Sequence, residues 1–195
     1  MKKNTKTTKK HEKQTDSAIE VHYFHYESPI GFLLLFHDKN ALIGIQFCQE
    51  PMKPFSTEQN KNPQNVAFSY IDHRHSPNAP LAKVIEQLDE YFEGKRSKFT
   101  VPIAIQHGTL FQKKVWKALS TIPFGETWSY KQLAVKIGHP TAFRAVGLAN
   151  HHNPIPIIIP CHRVIGSNGK LVGFGGGLDT KASLLALEAN RNMTI

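Results

Sequence analysis

Residues 157–164 read Ile157-Ile158-Ile159-Pro160-Cys161-His162-Arg163-Val164 and place a thiol at the end of an apolar run. The run predicts a buried segment of β type that ends at Pro160. A free cysteine has a pKa of roughly 8.5, so it is mostly protonated at neutral pH, and only its thiolate reacts. His162 as a base or Arg163 as a positive charge can activate such a nucleophile. The alternative is a cysteine that only packs, for which the polar neighbours are not needed.

The overall composition limits the class of protein. The chain has 195 residues, 40% of them hydrophobic, and a net charge of +9, which favours a polyanionic partner, nucleic acid before an anionic membrane. No apolar run approaches the roughly 20 residues of a membrane span, and no apolar region follows Met1-Lys2-Lys3, so we expect neither a membrane protein nor a secretory signal. The only cysteines, Cys48 and Cys161, are too few for a disulfide scaffold, and a reactive thiol favours a reducing cytoplasm.

The N-terminal half predicts a small sheet covered by a helix. Residues 1–16 are rich in lysine and predict a disordered basic tail, which either attracts phosphates or has no role. Alternating apolar residues between Ala18 and Phe47 predict three strands in an antiparallel meander, and a short strand is expected near 66–71. Apolar residues at three- and four-residue steps predict a helix over Leu81–Phe92, with Gly94 as its C-terminal cap.

The C-terminal half predicts short helices. Thr109 and Gln112 fit a capping box at the start of a helix. Ser129 is placed to cap a second helix, and we expect a third to begin at Thr141 after the Gly138-His139-Pro140 turn. Two short helices joined by a glycine-containing turn form a helix-turn-helix pattern, in which the second helix normally meets DNA.

Several separated motifs in this half, in the same order and spacing, resemble the O6-alkylguanine-DNA alkyltransferase family. The similarity covers about Thr109 to Ala189, and the N-terminal half resembles the family only loosely. The motifs are Pro160-Cys161-His162-Arg163-Val164, Gly125-Glu126-Thr127-Trp128-Ser129-Tyr130, Leu133-Ala134, Arg144-Ala145-Val146-Gly147, Asn153-Pro154, Pro156 and Gly175-Gly176-Gly177.

The resemblance implies an α+β fold of two domains. A small N-terminal domain with an antiparallel sheet and a helix, of ribonuclease-H-like type, is expected over 17–97. A linker over 98–108 then leads to a mostly helical domain with the helix-turn-helix over 109–195. We expect a monomer.

The resemblance also implies a reaction. Glu188 orients His162, which withdraws the proton of Cys161 through a water molecule. The thiolate takes the alkyl group from O6-alkylguanine, or from O4-alkylthymine, in double-stranded DNA, while Tyr130 donates a proton to the leaving base. Each molecule acts once, and no cofactor is expected.

The remaining site residues are also assigned by resemblance. Arg144 fills the base stack when the target nucleotide is flipped out, and Ala145 and Gly147 let the same helix approach the backbone closely. Tyr130 crowds the phosphate of that nucleotide. The pocket for the base is expected from four residues: Asn153, Val164, Phe174 and Gly175.

Other interpretations of these residues exist. Arg144 taken alone could form a surface salt bridge. A lesion-binding protein without catalysis is a second candidate function, although related alkyltransferase-like proteins lack the cysteine that is present here as Cys161. A thiol hydrolase built on cysteine and histidine is a third.

Metal binding is one more interpretation, suggested by five histidines of the N-terminal half: His22, His25, His37, His73 and His75. Some members of the suspected family carry a zinc ion in this domain. Because that half has Cys48 alone and no Cys-x-x-Cys pair, we predict no metal.

Overall fold

A computed structural model describes residues 19–50, 66–70 and 79–190. The basic tail, most of the segment between the third and fourth strands, His73 and His75 lie outside these ranges. Among the helices of the described ranges, none combines the length and apolarity that a membrane span requires.

A four-stranded sheet forms the N-terminal part of the described chain, in the order β3-β2-β1-β4. Its strands are β1 (Ile19–Ser28), β2 (Gly31–His37), β3 (Leu42–Cys48) and β4 (Val66–Tyr70). The predicted meander is confirmed, because β1, β2 and β3 pair antiparallel. The short fourth strand is also present, but it pairs parallel to β1, so the sheet is mixed and not wholly antiparallel.

Helix α1 (Ala79–Glu93) packs against this sheet, as its apolar periodicity predicted. Its buried face includes Leu81, Leu88 and Tyr91. The hydroxyl of Tyr26 on β1 donates a hydrogen bond to Asp89 at 2.7 Å. The helix ends at Glu93 and is followed by Gly94, whose φ of 88° is the left-handed conformation that glycine adopts without steric strain.

The segment after α1 is held against the sheet by backbone hydrogen bonds. The Leu42 N–H donates to the carbonyl of Pro102 at 3.0 Å, and the Ala104 N–H donates to the carbonyl of Leu42 at 2.9 Å. The predicted linker therefore extends the edge of the sheet beside β3.

The C-terminal part is mostly helical, and its helices are α2 (Leu110–Leu119), α3 (Tyr130–Lys136), α4 (Phe143–His151) and α5 (Leu178–Ala189). The predicted capping box of Thr109 with Gln112 is present. Ser129 caps α3, forming a second box with Gln132. Helix α4 begins two residues later than expected, after Ala142.

The apolar run before Cys161 is buried but is not a strand, which corrects the sequence prediction. Ile157 has a φ of 74°, and the Ile159 N–H bonds back to the carbonyl of Ile155 at 2.9 Å. The neighbouring prolines, Pro156 and Pro160, have no N–H to donate to a ladder, so the segment turns instead. A single 3₁₀ turn, Cys161–Arg163, follows and leads into β6 (Val164–Ile165), which pairs with β5 (Trp128–Ser129).

Candidate active site

Cys161 lies at the start of the 3₁₀ turn with only 3% of its surface exposed. Burial raises the pKa of its thiol to about 11, although the Asn153 side chain, the charge of Lys181 and nearby backbone N–H groups oppose the rise. The resting sulfur is therefore a thiol at neutral pH, so its neighbours do not hold it as a thiolate. Reaction requires a base that removes the proton.

His162 and Glu188 form a buried pair, although 26 residues separate them in the sequence. The Nε2 of His162 lies 2.8 Å from Oε1 of Glu188, which α5 brings to the turn. Burial lowers the pKa of His162 and outweighs the opposing carboxylate of Glu188, so we assign a neutral ring that donates its Nε2–H to Glu188. Nδ1 is then a proton acceptor, and it has no hydrogen-bond partner among the described residues.

Arg163 completes the charge balance around this carboxylate. Its Nε donates to Oε2 of Glu188 at 2.8 Å and its Nη2 to Oε1 at 3.0 Å, while Nη1 donates to the carbonyl of Ile122 at 2.6 Å. Burial alone would raise the pKa of Glu188, but the hydrogen bonds from His162 and Arg163 and the positive charge of Arg163 lower it to about 2. Arg163 therefore supports Glu188 and does not activate the thiol directly.

Two further groups reach the same carboxylate from distant parts of the chain. The Tyr91 hydroxyl, on α1, donates to Oε1 of Glu188 at 2.8 Å. The Gly125 N–H donates to Oε2 at 3.1 Å. The buried carboxylate therefore links the N-terminal helix, the loop after α2, the 3₁₀ turn and α5.

Lys181 is a site residue that sequence reasoning missed. Its side chain is fully buried, and its Nζ donates to the carbonyls of Val164 at 2.6 Å and Val172 at 2.9 Å. Burial lowers the pKa of Lys181 to about 8, against the opposing effect of Cys161. Since lysine in a helix is normally exposed, no signal in the sequence distinguishes it.

Tyr130 lies at the first position of α3, where the Ser129 cap places it beside the site. Its hydroxyl donates to the carbonyl of Val172 at 3.2 Å, and Nζ of Lys181 lies 6.0 Å from its ring centre. Burial raises the pKa of Tyr130, which the Asn150 side chain partly opposes and Cys161 reinforces. The phenol therefore stays protonated at neutral pH and is available as a proton donor.

Two asparagines connect the end of α4 to the reactive turn. The Asn153 amide donates to the carbonyl of Ile159 at 2.8 Å, and its Oδ1 accepts from the Ile155 N–H at 3.1 Å. Asn150, which the sequence analysis did not single out, donates to the carbonyl of Cys161 at 3.3 Å. These bonds hold Cys161 at a fixed position relative to the helix-turn-helix.

A cavity of about 270 Å³ opens onto the thiol, and three of the predicted pocket residues, Asn153, Phe174 and Gly175, line it with Cys161. Val164 is fully buried on β6 and is not among the residues that line this cavity, so its predicted contact with the base stays a prediction. Its carbonyl accepts from Lys181. The cavity is walled on one side by β3, at Ile45, Gln46 and Phe47.

Helix α4 presents a surface beside this site. Arg144 and Ala145 are exposed on it, whereas Gly147 is half-buried and faces the Tyr130 ring, where an added Cβ would lie 3.6 Å from the nearest ring atom. The structure thus groups Arg144 and Ala145 on an open face and leaves Gly147 as a spacer between α4 and Tyr130.

Comparisons with known proteins find relatives of both halves of the chain. Residues 110–190 match the DNA binding domain of 6-O-methylguanine DNA methyltransferase, and residues 21–105 match its ribonuclease-like domain. A methylated-DNA--protein-cysteine methyltransferase of Mycolicibacterium paratuberculosis is 45% identical over 168 residues, which are 86% of this chain and 92% of that protein. One from Methanosarcina barkeri is 45% identical over 170 residues, 87% of this chain and 98% of that protein.

Solved structures of methyltransferases resemble this chain in fold. A crystal structure of Mycobacterium tuberculosis OGT in complex with DNA is 44% identical, with a TM-score of 0.72, covering 87% of this chain and 94% of that one. The structure of an O6-methylguanine-DNA methyltransferase from Pyrococcus kodakaraensis is 22% identical, with a TM-score of 0.55, and the match covers 86% of this chain and 98% of that one. At this identity the likeness supports the fold alone.

The Glu188 network predicts a large, pH-dependent loss of stability on Glu188→Gln. Leaving Arg163 without its buried counter-charge should lower the free energy of unfolding at pH 7 by about 3–5 kcal/mol. Because the folded-state pKa of about 2 lies below the ordinary 4.5, the ionised carboxylate stabilises the fold above pH 4.5, and this contribution is lost as the pH falls toward 2. Chemical denaturation at several pH values measures both effects.

Glu93→Gln is the matched control, because it removes a carboxylate that pairs with Lys95 at the surface, at 2.6 Å. That change should cost less than about 1 kcal/mol. Two results would contradict the assigned role of the buried pair. One is an equal loss of unfolding free energy in the two variants, and the other is a difference in unfolding free energy between Glu188→Gln and the wild type that does not become smaller in acid.

Proposed function

This chain belongs to the 6-O-methylguanine DNA methyltransferase family, and we propose that Cys161 is the residue that accepts the alkyl group. As a member of this family it acts in DNA repair by alkyl transfer from DNA to a cysteine of the protein. One observation carries the proposal for Cys161: a buried thiol lines a cavity, and the next residue is a histidine bonded to a buried carboxylate.

The first step of the proposed reaction removes the thiol proton. Since His162 donates its Nε2–H to Glu188, its Nδ1 carries the lone pair that can accept a proton. A bridging water molecule passes the proton of Cys161 to Nδ1, and Glu188 stabilises the imidazolium that forms. The charge of Lys181 favours the thiolate during this step, since it lowers the pKa of Cys161.

The second step is a direct displacement at the alkyl carbon. The Cys161 sulfur forms a bond to that carbon while the bond between the carbon and O6 of guanine breaks. The electron pair of the broken bond stays with guanine, and the Tyr130 hydroxyl supplies a proton to the leaving base. The proton that His162 took from Cys161 then returns through water to Tyr130, so both side chains end neutral. The product is a thioether.

Each molecule acts once in this proposal. Regeneration would require a group that removes the alkyl from sulfur, and the chain has only Cys48 as a second thiol. Cys48 lies on β3 and is not among the residues that line the Cys161 cavity. The alkylated protein is therefore an end product.

The target atom lies inside the double helix, so the nucleotide must leave the stack before the thiol can reach it. Flipping costs a few kcal/mol, and less for a mispaired lesion. We propose that α4 approaches the DNA through Ala145 and that Arg144 fills the space left in the stack, since a guanidinium is planar and stacks on bases. Phe174, Gly175 and Asn153 then enclose the flipped base beside Cys161. Action on O4-alkylthymine and a monomeric state stay predictions.

Mass spectrometry tests the acceptor directly. Mixing the protein with duplex DNA that carries O6-methylguanine should add one methyl group to the protein, located on Cys161 by peptide analysis. Cys161→Ala should gain no mass but should still bind the lesion, whereas Cys48→Ala should behave as the wild type. Methyl transfer that persists in Cys161→Ala, or continuous product release without modification of the protein, would overturn the proposal.

Arg144→Ala should reduce transfer from duplex DNA about 5- to 150-fold, since stacking contributes about 1–3 kcal/mol. The loss should be much smaller for a lesion in a single strand, where the opposite base is missing and extrusion costs less. Single-turnover rates on the two substrates measure the difference. Lys83→Ala, which removes an exposed charge from α1, is the control. An equal loss on both substrates would mean that Arg144 contributes only general attraction to DNA.

A further inference from the structure

The edge strand of the N-terminal sheet is docked onto the reactive half of the chain. The Ile45 N–H of β3 donates to the carbonyl of Pro154 at 2.9 Å. Pro154 directly follows Asn153, whose amide holds the turn before Cys161. Because side chains alternate along a strand, Phe47 lies on the same face of β3 as Ile45. The position of Phe47 is therefore fixed relative to the thiol.

The ring of Phe47 supports the glycine loop beside the site. Its centre lies 5.3 Å from that of Phe174, with the two rings tilted by 60°. A Cβ at Gly176 would lie 2.9 Å from three atoms of the Phe47 ring, which is closer than side chains tolerate. The loop therefore rests directly on this ring, and a side chain at position 176 would have to displace it.

Phe47 also stands between two cavities. It lines the cavity of about 270 Å³ that contains Cys161. It lines as well a neighbouring cavity of about 500 Å³, whose walls include Ile30, Phe32 and Thr180. Gly175 belongs to both walls, so the loop and the Phe47 ring together separate the two spaces.

We propose that Phe47 is a specificity-determining residue that limits the size of the alkyl group this protein accepts. The inference rests on the proposed function of Cys161 and assigns the N-terminal domain a part in it. The Phe47 ring is part of the wall of the cavity of about 270 Å³ at the thiol, so the ring limits the space that remains for a substituent on the bound base. A bulky substituent would require the space beyond Phe47.

Removal of the ring joins the two cavities. The walls of the second cavity include Ile30 and Phe32, so the combined space suits an apolar aromatic substituent such as benzyl. A small difference in the apolar size of a substrate changes its reaction rate in a shaped pocket by about 10- to 200-fold. We expect a change of this order in the relative rates for the two substituents.

The experiment compares O6-methylguanine and O6-benzylguanine in the same duplex, with transfer to Cys161 followed as a single-turnover rate. Phe47→Ala should raise the ratio of the benzyl rate to the methyl rate about tenfold or more over the wild type. Phe47→Leu should give an intermediate ratio and, because it keeps most of the apolar volume, is the variant to rely on if Phe47→Ala does not fold. Thermal denaturation of each variant verifies folding.

Phe36→Ala is the matched control, because Phe36 is a half-buried phenylalanine of the same sheet that packs on Tyr23 and Phe68, away from both cavities. In Phe36→Ala the ratio of the benzyl rate to the methyl rate should equal that of the wild type. A ratio in the Phe47 variants within twofold of the wild type, or an equal change of both rates, would overturn the inference. Failure of the wild type to gain a methyl group on Cys161 would instead overturn the proposed function.

Discussion

The buried carboxylate of Glu188 is the group on which the site depends. A charge in the interior is tolerated only when it is paired and hydrogen-bonded. Here Arg163 pairs with it through two nitrogens, while His162, Tyr91 and Gly125 supply further hydrogen bonds. These donors come from three separate segments and the carboxylate itself from α5, so its hydrogen bonds position the N-terminal helix, the loop after α2, the reactive turn and α5 relative to one another. The need to satisfy this carboxylate therefore constrains both the fold and the site.

This arrangement divides the roles of three consecutive residues. Arg163 balances the charge of Glu188, which lets the neighbouring His162 remain neutral, with a free acceptor at Nδ1. Cys161 is buried and protonated at rest, since its pKa is raised to about 11. A thiol in that state is a poor nucleophile. In the proposed reaction, deprotonation is coupled to the arrival of a flipped base in the cavity.

Local patterns in the sequence predicted the helices and their caps, because apolar periodicity and capping boxes act within a few residues, as Thr109 and Ser129 illustrate. The family resemblance supplied Glu188, which spacing alone could not pair with His162. The run Ile157–Ile159 was wrongly predicted as β-type, since a short buried apolar run has no periodicity that separates strand from turn. The contributions of Lys181, Asn150 and Phe47 depend on tertiary packing, so no local pattern in the sequence predicts them. The parallel pairing of β4 with β1 joins strands that are distant in the sequence, so it has no local signal either.

A neutral His162 that donates from Nε2 to Glu188 is the central requirement of the proposed reaction. Nitrogen NMR of the histidine rings, with the signal of His162 assigned by its loss in His162→Asn, tests this directly. At pH 7 the resting protein should show a protonated Nε2 and an unprotonated Nδ1 for this residue. A doubly protonated ring, or a proton on Nδ1 instead of Nε2, would leave no base to accept the Cys161 proton and would contradict the account.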